Sequence, residues 1–125
     1  MGKRVEIDKK GEKVLILPIR KKWLDMILSG EKGEEYREIK PYWTVRIVRW
    51  LGFPVSETKS ILGLLRKQET LRTKRVIFQN GYGRKAPKVE IACTLSIGTG
   101  KVEWGAESGK EYYRFHVKSI LSRKE

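Results

Sequence analysis

Residues 14–39, VLILPIRKKWLDMILSGEKGEEYREI, decide the fold because they hold a strand, a helix and a second strand in succession. Residues 14–17 form an apolar run of β-prone side chains, which predicts a buried strand. After Pro18, apolar residues recur at the i, i+4, i+7 and i+8 spacing of one helix face, which predicts a helix over residues 19–29. Proline suits the first position of that helix, and Gly30 suits the left-handed residue that ends it.

The rest of the chain changes from helical to strand periodicity near its middle. Residues 1–13 are charged and predict a short edge strand or a loose arm. The pattern further predicts helices at 42–52 and 57–68, and strands at 34–39, 75–80, 89–97 and 111–121. Helices in the first half and strands in the second predict one small α+β domain. We expect a mixed β-barrel or curled sheet with the helices packed on one side.

The chain is strongly basic, and much of its positive charge lies in one segment. Its 125 residues include 28 Lys and Arg against 15 Asp and Glu, a formal net charge of +13. Residues 58–89 alone hold nine basic residues and a single acid, Glu69. Such clustering predicts contact with the phosphates of a nucleic acid. We favour this interpretation over a solvated basic face that only aids solubility.

An aromatic side chain beside the basic segment would give a nucleic-acid base a surface for stacking. Tyr82, in a glycine-flanked turn, is the first candidate, and Trp104, in a later turn, is the second. Trp23, Trp43 and Trp50 lie on apolar helix stripes and are expected in the core. The basic residues predicted to contact nucleic acid around Tyr82 are Arg72, Lys74, Arg75, Arg84, Lys85 and Lys88.

The composition also excludes or disfavours several kinds of site. The single cysteine, Cys93, excludes an intramolecular disulfide, and it belongs to the apolar stripe of its strand. The single histidine, His116, disfavours a zinc enzyme, and we expect it to be an ordinary sheet residue. Residues 98–101 look like the end of a P-loop, but the positions on either side do not fit the pattern. We therefore expect no metal and no cofactor.

Gly30-Glu31-Lys32-Gly33-Glu34-Glu35-Tyr36-Arg37 fits the pattern G-x-K-x-x-E-x-R, placed between an amphipathic helix and a strand. With this context, and with the later strand end at residues 78–82, the chain resembles the ASCH domain family. That family shares the PUA-like β-barrel architecture. The resemblance covers residues 14–122, nearly the whole chain, and residues 53–73 look like an insertion relative to a compact family member.

The resemblance implies a cleft suited to RNA or a nucleotide-like ligand, with Gly30 making a turn and Lys32, Glu35 and Arg37 facing the cleft. The residues themselves agree, since Glu35 and Arg37 share one strand face and Lys32 can reach the same spot. Lys32 and Arg37 could bind a phosphate, while Glu35 could accept from a base amino group or hold Arg37. Without the resemblance, a surface salt-bridge cluster worth about 0–1 kcal/mol would be preferred. With it, we expect an RNA-binding domain that prefers single strands.

The resemblance also offers an enzymatic alternative, since some similar proteins are amidohydrolases acting on acetylated cytidine and some are ribonucleases. In the amidohydrolases, the lysine matched here by Lys32 is paired with a threonine nucleophile three residues later. That position is Glu35 here, so the hydroxyl is missing, and the nearby Ser29 and Tyr36 do not replace it. For RNA cleavage, Lys32 and Glu35 could act as acid and base if Lys32 were desolvated. The sequence leaves catalysis open.

Two expectations concern partners and location. The longest apolar runs are only a few residues, and no apolar segment of a signal peptide follows Met1. We therefore expect no membrane partner and a cytoplasmic protein. A protein-interaction module that binds an acidic protein partner is a third possible function, which the sequence neither favours nor excludes.

Overall fold

The computed structural model describes residues 5–7 and 11–124, which form three α-helices and six strands. The strands are β1 (Val5–Ile7), β2 (Lys13–Pro18), β3 (Glu34–Glu38), β4 (Lys74–Gln79), β5 (Lys88–Thr99) and β6 (Glu111–Lys124). The helices are α1 (Lys21–Leu28), α2 (Pro41–Trp50) and α3 (Thr58–Lys67), with short 3-10 helices at Val55–Glu57 and Val102–Trp104. The predicted α+β class is confirmed, and β1 is the described part of the segment expected to be an edge strand or arm.

The six strands form one sheet in the order β1-β2-β4-β5-β6-β3. Neighbouring strands are antiparallel except β2 and β4, which run parallel, so that Pro18 lies beside Gln79 at one end of the sheet. Within residues 5–7 and 11–124, β1 and β3 are the two edges and do not pair with each other. The sheet is open there, so the predicted barrel is not confirmed.

The three helices contribute apolar side chains to one core that packs against the sheet. Trp50 of α2 lies at its centre, where its indole N–H donates to the carbonyl of Arg75 at 3.0 Å and its ring centroid lies 5.8 Å from that of Phe115. Trp50 is therefore a core residue, as its apolar stripe predicted. Cys93 is also buried in this core, and that burial raises the pKa of its thiol to about 12.

Helix α1 begins later than the proline pattern predicted. Pro18 is the last residue of β2, paired with Gln79, and is not the first residue of the helix. Arg20 has extended dihedral angles, φ −75° and ψ 147°, and is the N-cap residue of α1. The prediction was wrong because a proline, which lacks an N–H donor, also suits a strand position with a neighbour on one side only, and the described residues of β1 pair with residues 13–15 of β2 and not with Pro18. Gly30 follows the helix with φ +85°, as predicted.

Residues 53–73, which look like an insertion in the sequence, are an ordered part of the fold. Ile61 and Leu65 of α3 are buried in the core, and the backbone N–H of Thr70 donates to the carbonyl of Leu95 at 2.9 Å. The segment after α3 therefore continues alongside β5 before β4 begins. No helix in the described ranges is long and apolar enough to cross a lipid bilayer.

Candidate functional site

A cleft of about 270 Å³ opens where the end of β2, the edge strand β3 and the segment around Trp104 come together. Different parts of the chain supply its walls, which include Arg20 and Trp23 before and within α1, Glu35 and Arg37 of β3, Trp43 of α2, and Trp104 with Gly105. The cleft combines three indole rings with two acids, Glu35 and Glu38, and two arginines. This composition differs from that of the apolar core behind it.

Glu35 and Arg37 form an ion pair in the wall of this cleft. The Arg37 guanidinium donates a hydrogen bond to the Glu35 carboxylate and further ones to the carbonyls of Tyr36, at 2.6 Å, and Pro18, at 2.5 Å. The contact with Pro18 ties the edge strand β3 to the end of β2. Both side chains are largely buried, so deleting one charge costs about 3–5 kcal/mol, as for other buried pairs. The predicted pairing of these two residues is present.

Lys32 lies behind the cleft and does not face it, in contrast to the expectation from the motif. The residue is only 1% exposed. Its ammonium donates to the carbonyls of Glu34, at 2.5 Å, and Trp104, at 2.9 Å, and it lies 3.0 Å from a carboxylate oxygen of Glu35. Desolvation lowers the pKa of Lys32, while the nearby Glu35 opposes that shift. Since an ammonium has three hydrogens, these partners use all of them.

The turn after α1 explains why Lys32 points inward. The positive φ of Gly30 reverses the chain, and the backbone N–H of Lys32 then donates to the carbonyl of Met26 at 3.0 Å. This places the lysine stem among aromatic rings, with its Nζ 4.9 Å from the ring centroid of Tyr36 and 5.2 Å from that of Trp23. Lys32 therefore acts as a positioning residue for Glu35 and for the segment that carries Trp104.

Trp23, Trp43 and Trp104 line the cleft, although the first two were expected to serve only the core. Trp43 lines the cleft and also belongs to the hydrophobic core. The guanidinium carbon of Arg37 lies 5.5 Å from the centroid of its ring. Helical periodicity identifies which side chains form the apolar face of a helix, but it does not show whether other parts of the protein bury the end of that face. Trp23 and Trp43 each lie in the first turn of a helix that follows a strand. This position, next to the end of a strand, is the sequence feature that could have indicated that both rings line the cleft.

Gly105 lets the segment around Trp104 approach α1. Its φ is +101°, and a Cβ atom added there would lie 3.0 Å from the ring of Trp23. A residue with a side chain would therefore be strained in the backbone and would also press on one wall of the cleft. The shape of the cleft therefore requires a glycine at position 105, and no pattern in the sequence indicated this.

The turn between β4 and β5 lies at the same end of the sheet as the cleft but does not line it. Asn80 connects the two, because its side-chain amide donates to the carbonyl of Ile19 at 2.9 Å. Tyr82, the predicted stacking residue, is 75% exposed in this turn together with Arg84 and Lys85. Lys88 donates to the carbonyl of Arg84 at 3.0 Å and so helps to hold the turn.

Arg72, Lys74 and Arg75 lie at the other end of β4. Strand β4 has six residues, so its ends are about 17 Å apart at about 3.3 Å per residue. Arg75 is paired with Glu90, at 2.6 Å, and with Glu12, at 3.7 Å. The basic residues that look contiguous in the sequence are thus divided between the two ends of the sheet.

On the face of the sheet opposite the core, His116 lies between Glu34 and Ser96. Its Nδ1 is 3.1 Å from a Glu34 carboxylate oxygen, and its Nε2 is 2.7 Å from Ser96 Oγ. This is the Ser-His-Glu order of a hydrolase, but Ser96 is only 3% exposed and also accepts a hydrogen bond from Arg114 at 3.0 Å. A nucleophile without access to substrate cannot react, so the group is a structural network that fastens β3 to β6.

Comparisons with known proteins do not add to this geometry. No family model matches the chain, and neither curated proteins nor solved structures provide a significant match. Within the part of the chain that the structure describes, no group of three or more His, Cys, Asp or Glu residues is placed to hold a metal ion.

Proposed function

We propose that this protein binds single-stranded RNA and takes one unpaired base into the aromatic cleft. The observation that carries the proposal is the grouping of Trp23, Trp43 and Trp104 around the Glu35–Arg37 pair in a space of about 270 Å³. Sequence-specific RNA recognition uses splayed bases that stack on aromatic rings, and each stacked base contributes about 1–3 kcal/mol. A duplex keeps its bases paired, so it could not use this cleft.

The ion pair gives the cleft a basis for selecting among bases. Arg37 has five N–H donors, of which three are used within the protein, and the Glu35 carboxylate accepts from only two partners. Both side chains line the cleft and therefore keep hydrogen-bonding capacity there that contacts with described residues do not use. The Glu35 carboxylate can accept from an amino group of a base, and the Arg37 guanidinium can donate to an acceptor next to that amino group. Adenine, cytosine and guanine have such an edge, whereas uracil has no amino group.

The phosphates of the same strand would follow the basic residues at this end of the sheet. Arg20 lies in the cleft wall, and Arg84 and Lys85 lie in the turn that Asn80 ties to Ile19. These positions suit a short stretch of a few nucleotides. Arg72 and Lys74 are excluded from this path by the length of β4.

We also propose membership of the ASCH family and its PUA-like architecture. Support comes from the G-x-K-x-x-E-x-R residues, since Glu35 and Arg37 lie in a cleft wall and Lys32 contacts both Glu35 and the Trp104 segment. The position of the cleft between the sheet edge and the first turns of two helices also fits. The Arg37 contact with Pro18 further joins the edge strand β3 to the end of β2, the neighbour of the other edge strand, as a closing sheet would require.

A hydrolase acting on modified nucleosides such as acetylated cytidine, or a ribonuclease, is the second candidate. The observation that favours it is the buried Lys32, whose pKa is lowered by desolvation and which contacts Glu35 at the cleft. Glu35 would act as general base on a water or a 2′-hydroxyl, and Lys32 would stabilise its charge. The nearby hydroxyls offer no nucleophile, because Ser29 donates to the Met26 carbonyl and Tyr36 donates to Glu34.

Fluorescence anisotropy of labelled single-stranded RNA tests the binding proposal. We expect W23L and W104L to weaken binding by at least tenfold, and Y82L to bind like the wild type. Oligomers of adenine or cytosine should bind more tightly than oligomers of uracil. Circular dichroism checks that each variant is folded. Wild-type affinity in both tryptophan variants, or a larger loss in Y82L, would place the base outside the cleft.

Incubation of the protein with acetylated cytidine and with RNA tests the second candidate. Product that forms with the wild type and disappears in E35Q, with the fold retained by circular dichroism, would show catalysis that depends on Glu35. Absence of product from both substrates would leave the protein as a binding domain. This readout is separate from affinity, so the two candidates can be told apart.

A further inference from the structure

A second groove, of about 750 Å³, lies at the end of the sheet opposite the cleft. It is formed by the end of α2, by α3 and by the segment that leads from α3 into β4. Its lining is largely apolar, with Leu51 and Phe53 after α2, Ile61, Leu64 and Leu65 from α3, and Leu71 beyond it. None of these residues belongs to the RNA site proposed above.

Three large apolar side chains of this groove are open to solvent. Leu71 is 92% exposed, Leu64 is 54% exposed and Phe53 is 44% exposed. Ile61 and Leu65, on the inner side of α3, already complete the packing of this helix on the core. The exposed leucines are therefore not needed to hold the fold. Contiguous exposed apolar groups of this kind typically mark an interaction surface.

The rim of the groove is positively charged. Arg72 and Lys74 line the groove, and neither forms an ion pair with another residue in the described ranges. Each of the two acids of the groove has a basic partner, Glu12 with Arg75 at 3.7 Å and Glu69 with Lys118 at 3.0 Å. A partner at this surface thus meets an apolar floor and an uncompensated positive rim.

We propose that this groove docks an amphipathic, acidic segment of a partner protein. Apolar side chains of the segment cover Phe53, Leu64 and Leu71, and its carboxylates pair with the rim. Helix α3 has ten residues, so the groove runs for about 15 Å, which matches about three turns of a docked helix. RNA fits less well, because phosphates would leave the leucines uncovered. A second copy fits less well because both rims carry the same charge.

Selection from a library of random 14-residue peptides displayed on yeast tests the proposal with the full chain as bait. We expect enriched peptides to combine apolar residues at helical spacing with several acids, and to bind L64Q/L71Q at least tenfold more weakly. V102Q is the matched control, because Val102 is an exposed apolar residue outside the groove. R72E/K74E should also lose binding, whereas R84E/K85E, with the same change in net charge, should keep it.

Several results would overturn the proposal. One is that no peptides are enriched, or that the enriched peptides bind the wild type and L64Q/L71Q equally well. A second is a set of enriched peptides without acids. Sedimentation that shows a dimer abolished by L64Q/L71Q would assign the groove to a second copy of the chain. Loss of RNA binding in L64Q/L71Q would assign it to nucleic acid.

Discussion

The ammonium of Lys32 donates a hydrogen bond to the backbone carbonyl of Trp104, 2.9 Å away, and so joins segments separated by 72 residues in the chain. The same ammonium lies 3.0 Å from Glu35 in the cleft wall. One buried charge therefore positions both an acid and an aromatic wall of the candidate site. The lysine of the motif contributes to the cleft by supporting it from behind.

Removal of this charge should destabilise the protein. In K32M, the carbonyls of Glu34 and Trp104 lose their donor and Glu35 loses one of its two cationic partners. We expect the free energy of unfolding to fall by about 2–5 kcal/mol, measured by urea denaturation. K21M is the control, because Lys21 pairs with Asp25 on the surface and should contribute no more than about 0.5 kcal/mol. Equal stability of the two variants would contradict the supporting role of Lys32.

A substitution at Gly105 should affect the cleft and the fold together. G105A requires a left-handed alanine, which costs about 1–2 kcal/mol, and also brings a Cβ atom to 3.0 Å from the Trp23 ring. G109A is the matched control, since Gly109 has φ +78° and no atom within 4 Å of the added Cβ. We expect G105A to be the less stable variant in thermal unfolding and the only one with altered tryptophan fluorescence and weaker RNA binding. Identical behaviour of both would show that the contact with Trp23 has no consequence.

Acid should weaken the fold through Glu69. Its pKa is lowered below the ordinary value of 4.5, mainly by hydrogen bonds from Thr94 and Lys118. A carboxyl with a lower pKa in the folded state stabilises the fold above its unfolded pKa, and this stability is lost as the pH falls. We expect the free energy of unfolding to fall from about pH 5 to about pH 3, and to fall less in E69Q. T94V should also reduce the loss of stability in acid, but by less than E69Q. If E69Q lost stability in acid as the wild type does, Glu69 would not be its source.

Salt dependence should locate the path of the RNA. Each phosphate contact to a single strand contributes about −0.7 to the slope of log affinity against log salt concentration. We expect R84A/K85A to reduce the magnitude of that slope by about 1.4, and R72A/K74A to leave it unchanged. A reduced slope in R72A/K74A would mean that the strand runs along the whole length of β4.

The sequence predicted the helices, the strands and the Glu35–Arg37 pair because these depend on local periodicity. It could not predict where Lys32 points, since that direction is set by the Trp104 carbonyl, which belongs to a distant segment. The basic residues of 58–89 are close together in the sequence, which predicted one basic surface. In the structure, strand β4 lies within that segment and places its basic residues at two opposite ends of the sheet.

The pairing order of the strands has a consequence for the biosynthesis of the chain. Leu15 of β2 pairs with Val76 of β4, and Glu38 of β3 pairs with Tyr112 of β6. Because the chain is synthesised from its N-terminus, β2 cannot pair with β4, and β3 cannot pair with β6, until those later strands have left the ribosome. Strand β3, which carries Glu35 and Arg37, thus gains its neighbour only after β6 has been synthesised, and forming such distant pairs is slow. Nascent chains that lack β6 should therefore remain sensitive to protease across residues 34–38, and full-length chains should become resistant there.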